Sequence, residues 1–301
     1  MSEWDDLFRQ ETPPVKAASQ NQSFDKDAWV QKKQELRQWT YETIDATSVA
    51  VAQTSEQFQQ YLDVQSRFGR YSVSNALLIM AQRPEATRIA DFEGWQAMGF
   101  RIRRKETGFY ILEPGEEYKR EDGSTAVSYN PKKMFDVAQV IGEKPELAPS
   151  PDERTRIKAL THRAPVPIQM GDALPEGMNA LYQPDVRQIV IRRGLSAGDI
   201  FRSLAQELAH AELDQGKSDY SRSDHHFQAS SVAYMLSKKF GMETADFRFN
   251  RAVERLKGLE PQQIRTELSV IRDTAYTMTS RMYHLLGQLR QQQPSRTNTA
   301  R

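Results

Sequence analysis

The sequence predicts an α+β protein of two domains followed by one long helix. Helical patterning fills residues 25–99 and gives way to strand patterning from Phe109 onward. A proline-marked break at 143–152 is followed by a short antiparallel strand pair and then by a helix carrying Glu207 and His210 in Glu-x-x-His spacing. Apolar residues then recur from Ile264 to Leu289 at alternating steps of four and three, the signature of a long helix with one buried stripe.

Composition sets the outer bounds. A chain of 301 residues is long enough for two domains of ordinary size. Hydrophobic content of 38% and charged content of 27% describe a soluble, rather polar globular protein. No apolar run approaches the roughly 20 residues that span a bilayer, so no membrane partner is expected. The opening Met1-Ser2-Glu3-Trp4-Asp5-Asp6 is acidic, unlike the basic-then-apolar order of a signal peptide. With no cysteine there are no disulfides and no thiolate zinc sites, and a cytoplasmic location is expected. The net charge of +1 gives no general attraction to nucleic acid, which must rest on local clustering.

The first domain is expected over 25–148, behind a polar tail at 1–24 that contains Pro13-Pro14 and is expected to be disordered. Asp25 can cap a helix reaching the mid-forties, with Ala28, Val30, Leu36, Trp39 and Ile44 as an irregular inner face. A second helix starts near Ser55 with Phe58, Leu62 and Val64 inward. A third follows Ser72 or Ser74 and stops before Pro84, and a short helix over 91–99 carries Trp95. Residues 109–112, 126–129 and 134–137 are expected as strands, and 113–124 as a charged, glycine-containing loop.

The second domain is expected over 149–260: a helix near 153–162, a strand at 166–170, and a hairpin of 179–183 and 188–192 turning at Pro184-Asp185. The helix at 196–215 ends at Gly216. Another, capped by Ser223 or Asp224, runs from His225 to Phe240. The last helix occupies 261–292, with Ile264, Leu268, Ile271, Ala275, Met278, Met282, Leu285 and Leu289 as its seam, packing either on its own chain or on a partner. Residues 293–301 are expected as a disordered tail.

Residues 206–210 read Gln-Glu-Leu-Ala-His, a zinc-protease helix without its first ligand. In the working motif His-Glu-x-x-His, two histidines on one helical face hold Zn²⁺ and the glutamate activates a metal-bound water. Glu207 and His210 occupy the base and second-ligand positions, but Gln206 offers only a neutral amide, a poor ligand for Zn²⁺. Strands, motif helix and second helix follow in the order that a zincin uses. An alternative is a rewired zinc site in which His226 joins His210, with Gln206 or Glu207 completing it.

A second cluster lies between Arg67 and Lys105, where Arg67, Arg70, Arg83, Arg88, Arg101, Arg103, Arg104 and Lys105 face only Glu85, Asp91 and Glu93. Basic groups release counterions from phosphates, and Tyr71 and Tyr110, beside arginines, can stack on bases. Trp95 and Phe109 are expected in the core instead. The acidic residues Glu113, Glu116, Glu117, Glu121 and Asp122 oppose phosphate binding if they share its groove.

The run from Arg70-Tyr71-Ser72 through Asn75 to Pro84-Glu85-Ala86-Thr87, then Trp95, Gly99, Ile102-Arg103-Arg104-Lys105-Glu106-Thr107-Gly108 and Phe135-Asp136-Val137, resembles the N-terminal domain of the ArdC antirestriction family of conjugative elements. The resemblance covers roughly 26–245. It implies a single-stranded-DNA-binding first domain, with Arg70, Tyr71, Asn75, Arg101, Arg103, Arg104, Lys105 and Tyr110 at the DNA, and a zincin-like second domain. It also exposes departures: Lys105 stands at a glycine position of the basic turn, Gln206 at the first metal ligand and Ser230 at the third. Of the implied metal set only His210 survives, with Glu207 as an orphaned general base, so no cofactor is expected and zinc enters only through the rewired His210–His226 alternative. The expected function is a single-stranded-DNA-binding accessory protein, of antirestriction or conjugation type, with an inactive metallopeptidase half. The alternatives are an active metallopeptidase with non-standard ligands and an adaptor that holds a protein partner through the pseudo-peptidase groove and the C-terminal helix.

Overall fold

A computed structural model describes residues 26–143, 150–216 and 219–292. The tails expected at 1–24 and 293–301, and the middle of the linker at 143–152, lie outside the described residues.

Three helices open the fold: α1 (Lys26–Val51), α2 (Ser55–Arg67) and α3 (Val73–Gln82). Thr54 caps α2 by accepting from the Gln57 amide, and Ser72 caps α3 by accepting from the Asn75 amide, so the chain turns where unpaired first-turn amides find hydroxyls. The face of α1 departs from expectation. Ala28, Val30 and Trp39 are exposed, and the buried line is Thr40, Ile44, Ser48 and Val51. Thr40 and Ser48 donate to the carbonyls of Leu36 and Ile44 at 2.7 Å, so their hydroxyls enter the core already satisfied. An apolar-only reading of the helix passes over them.

Strands β1 (Ile89–Ala90), β3 (Phe109–Lys119) and β4 (Thr125–Asp136) form one antiparallel sheet in the order β1-β4-β3. Helix α4 (Phe92–Ala97) and the paired strands β2 (Arg101–Ile102) and β5 (Val140–Ile141) complete this half. The expected charged loop at 113–124 is instead strand as far as Lys119, and the two strands expected at 126–129 and 134–137 are one. Here the ladder supplies the backbone partners, with a register shift between Pro114 and Glu117, while the outer arm is solvated and tolerates charge. Trp95 is fully buried with Phe100, Phe135 and Val140 in a small satellite core, its indole donating to the Phe135 carbonyl at 2.8 Å. Gly108 lies so close to β4 that a Cβ there would sit 2.6 Å from the Met134 carbonyl.

The second half holds α5 (Glu153–Thr161) and a three-stranded sheet, β6 (Ile168–Met170), β8 (Gln188–Ile191) and β7 (Ala180–Gln183), with β6 parallel and β7 antiparallel to β8. Then come α6 (Ala197–Asp214), α7 (Arg222–Lys239), α8 (Asn250–Leu256) and α9 (Pro261–Gln292). Helix α7 starts earlier than expected because Ser221, not Ser223 or Asp224, provides the cap. Helix α8 was not anticipated.

Helix α9 packs against α7, α5 and α1, with further contact to α3 and α6. Its buried line is Ile264, Leu268, Ile271, Ala275, Met278, Met282 and Leu286. The last member is Leu286 rather than Leu285 and Leu289, because a straight helix drifts away from a strict heptad stripe. The two halves share one continuous hydrophobic core that runs from Ile44 and Phe58 through Leu77, Phe201 and Tyr234 to Met282. With α2 on α7 and α9 against both halves, the boundary expected near 148 divides the sequence but not the core.

Candidate functional site

The motif helix α6 and the facing α7 bring Gln206, Glu207, His226 and Ser230 to one cleft of about 760 Å³, whose walls also carry Arg202, Arg222 and Arg251. Glu207 is only 2% exposed. One carboxylate oxygen accepts from the Tyr182 amide of strand β7 at 2.7 Å and from Arg222 at 2.7 Å, and the other accepts from Arg222 at 2.8 Å. This bidentate pair occupies the lone pairs that a general base would offer to a water. Sequence reasoning missed Arg222; its only sign was a basic residue at the start of the second helix.

His210 is fully buried, and its Nδ1 pairs with the Tyr220 hydroxyl at 2.6 Å. Burial, with Arg222, His226 and His225 nearby, pushes its pKa down to about 2, so the imidazole is neutral. The His226 ring stacks on it with centroids 6.0 Å apart. The two histidines are thus brought together, but the third member is not supplied. Gln206 and Ser230 are neutral, and Glu207 is held by a guanidinium whose charge opposes a cation in the cleft. Among the described residues no group of three or more His, Cys, Asp or Glu side chains could hold a metal ion. The residues present do not fit a zinc site.

The residues expected at DNA fall into separate places. Arg101 on β2 and Arg103, Arg104 and Lys105 on the turn after it are exposed, and no ion pair is formed by any of the four among the described residues. Gln139 braces this turn by donating to Glu106 and to the Thr107 carbonyl, both at 2.9 Å. Lys105, at the position where the family resemblance implies glycine, adopts φ 67°, a left-handed conformation unfavourable for a side chain by roughly 1–2 kcal/mol. Arg70 and Tyr71 lie at the α2–α3 junction and line a different cavity, shared with α7 and α9. Tyr110 is half-buried, its ring edge-on to Trp39 at 6.4 Å.

Asn75 is a correction. Its amide donates to the Leu112 carbonyl at 2.9 Å and accepts from the Leu112 N–H at 2.7 Å, and the residue is buried. Gln82 treats Tyr110 the same way, at 2.8 and 2.9 Å. Two amides on α3 therefore replace a neighbouring strand along the free edge of β3, so the buried Asn75 serves the fold there instead of lying exposed beside the arginines.

Within this α+β fold, the Gln206–His210 segment of α6 has its glutamate held by an arginine of α7. No family model and no curated protein matches the sequence. Among solved structures the chain is similar to the antirestriction ArdC protein from R388 plasmid. For its Mn(II)-bound structure the TM-score is 0.50 at 16% identity, covering 70% of this chain and 85% of that one. For the metal-free structure the TM-score is 0.48 at 17% identity, covering 71% and 86%. The fold is ArdC-like. No described helix is long and apolar enough to cross a membrane.

Proposed function

We propose that this chain is an accessory protein of a mobile genetic element, of the antirestriction type, that binds single-stranded DNA and carries a catalytically silent metallopeptidase-like half. The observation that carries the reading is the turn of Arg101, Arg103, Arg104 and Lys105, four exposed cations without a carboxylate partner among the described residues. Cations of this kind release counterions when they meet phosphates, and that release drives sequence-independent binding. The ArdC-like fold supports the same reading. The locked Glu207 supports silence of the peptidase half. The adaptor alternative loses the apolar seam of α9, which is buried in the core of its own chain, and keeps only the cleft between α6 and α7.

The deciding measurement is binding of a fluorescent oligonucleotide by the full chain across salt concentrations. Replacing Arg103, Arg104 and Lys105 with alanine is expected to weaken binding to all sequences and reduce the salt slope by up to about three phosphate contacts. Unchanged affinity in the triple variant removes this turn from the binding site, and no binding by the unmodified chain rules the reading out.

A further inference from the structure

The cavity at the α2–α3 junction combines basic and aromatic side chains. It encloses about 370 Å³, and its basic lining residues are Arg67, Arg70, Lys239 and Arg272. No carboxylate is among the described residues that line it. Three of these cations donate to backbone carbonyls, and Arg67, Arg70 and Lys239 form no ion pair among the described residues. Arg67 donates to the carbonyls of Ala86 and Pro84, Lys239 to that of Ser66 at 2.8 Å, and Arg272 to those of Tyr71 and Arg70 at 3.2 and 3.1 Å. A carbonyl positions a cation without cancelling its charge. Arg272 also meets Asp273, which stands outside the lining, and Asp63 of the adjoining hollow is already engaged by Lys238 and the Tyr234 hydroxyl. Burial, and after it the charge of Arg70, press the Lys239 ammonium below its ordinary pKa.

The same cavity carries aromatic faces. Tyr276 and Tyr283 stand on α9 at 42% and 51% exposure, beside the buried seam but not part of it. The Arg272 guanidinium lies over the Tyr276 ring at 5.2 Å, and the Lys239 ammonium over the Tyr283 ring at 5.9 Å. Tyr71, edge-on to Phe68, faces them across the cavity. Cations of which three form no ion pair among the described residues, interleaved with exposed aromatic rings, match a chain of phosphates and unpaired bases, and a duplex hides the base faces that such rings would stack on.

We infer that this groove, walled on one side by α9, is a binding site for single-stranded nucleic acid, in which Arg70 and Lys239 meet phosphates and Tyr276 and Tyr283 stack on bases. The inference rests on the single-stranded-DNA reading above, but it assigns the stacking to a helix that the sequence offered only as a packing or pairing element. It also requires both halves of the chain to form one site.

The test uses the full chain and a fluorescent thymidine oligomer, titrated at several salt concentrations. The double variant Tyr276→Ala, Tyr283→Ala is expected to weaken binding roughly tenfold or more with the salt slope unchanged, because stacking releases few ions. Tyr276→Phe with Tyr283→Phe keeps the rings and is expected to bind like the unmodified chain, which separates stacking from a fold defect. Arg70→Ala is expected to lower the slope by about one phosphate contact. If the alanine pair binds normally while the Arg103, Arg104, Lys105 variant is impaired, the groove is overturned and the DNA reading stands. If the unmodified chain does not bind the oligomer at all, both fall.

Discussion

Arg222 closes on Glu207 through two parallel hydrogen bonds of 2.7 and 2.8 Å, and the same carboxylate receives the outward amide of Tyr182 on strand β7. Glu207 thereby joins α6, α7 and the edge strand β7. Truncation of one partner should expose what this costs. Arg222→Ala leaves a buried, unpaired carboxylate and is expected to lose about 3–5 kcal/mol in chemical denaturation. The double variant Glu207→Gln, Arg222→Met should recover most of that, because the amide oxygen can still accept from Tyr182. A loss below about 1 kcal/mol in the single variant would mean that water reaches the carboxylate and that the pair is a surface one.

The metal chemistry follows from the same contact. The purified protein is expected to carry no stoichiometric zinc and no peptidase activity. Gln206→His with Ser230→Glu should raise zinc uptake beside His210, yet hydrolysis should stay absent while Arg222 holds Glu207. Elemental analysis decides the first point and peptide hydrolysis the second. One equivalent of zinc in the unmodified chain, removed by His210→Ala, would overturn this account of the site.

Helix α9 should behave as part of the core and not as an interchain seam. Ile271 is fully buried in the core shared by both halves. Ile271→Asp puts a charge there and is expected to lower the stability of the whole chain by at least about 4 kcal/mol, in one cooperative transition and without a change of mass in solution. Two separate melting transitions would contradict the shared core. A shift from dimer to monomer with stability intact would return α9 to the role of a coiled-coil partner.

The amide pair on α3 gives a local prediction. Asn75→Ala strips the Leu112 N–H and carbonyl of their partners in a buried setting, and about 1–3 kcal/mol is expected for each group left unsatisfied. Hydrogen exchange should show the Leu112 amide losing protection, while DNA affinity per folded molecule stays constant. A specific loss of affinity with the Leu112 amide still protected would restore Asn75 to the DNA surface.

The sequence by itself determined the order and kind of most elements. The helix starts expected near Ser55, after Ser72 or Ser74, at 91 and at 196, and the hairpin of 179–183 and 188–192, rest on local signals, and those helices and strands are present. It also determined the broken motif at Gln206, since a missing imidazole is visible in one dimension. The rest was decided by contacts between residues far apart in the chain. Arg222 meets Glu207 across 15 positions, Asn75 meets Leu112 across 37, and Arg272 meets Tyr71 across 201. Period and propensity describe a residue relative to its own helix or strand, and they carry no information about which distant group will satisfy it. For the same reason the outer arm of β3, residues 113–119, looked like loop, because its partners lay in the facing strand. The merger of two expected domains into one core likewise waited on where α9 came to rest.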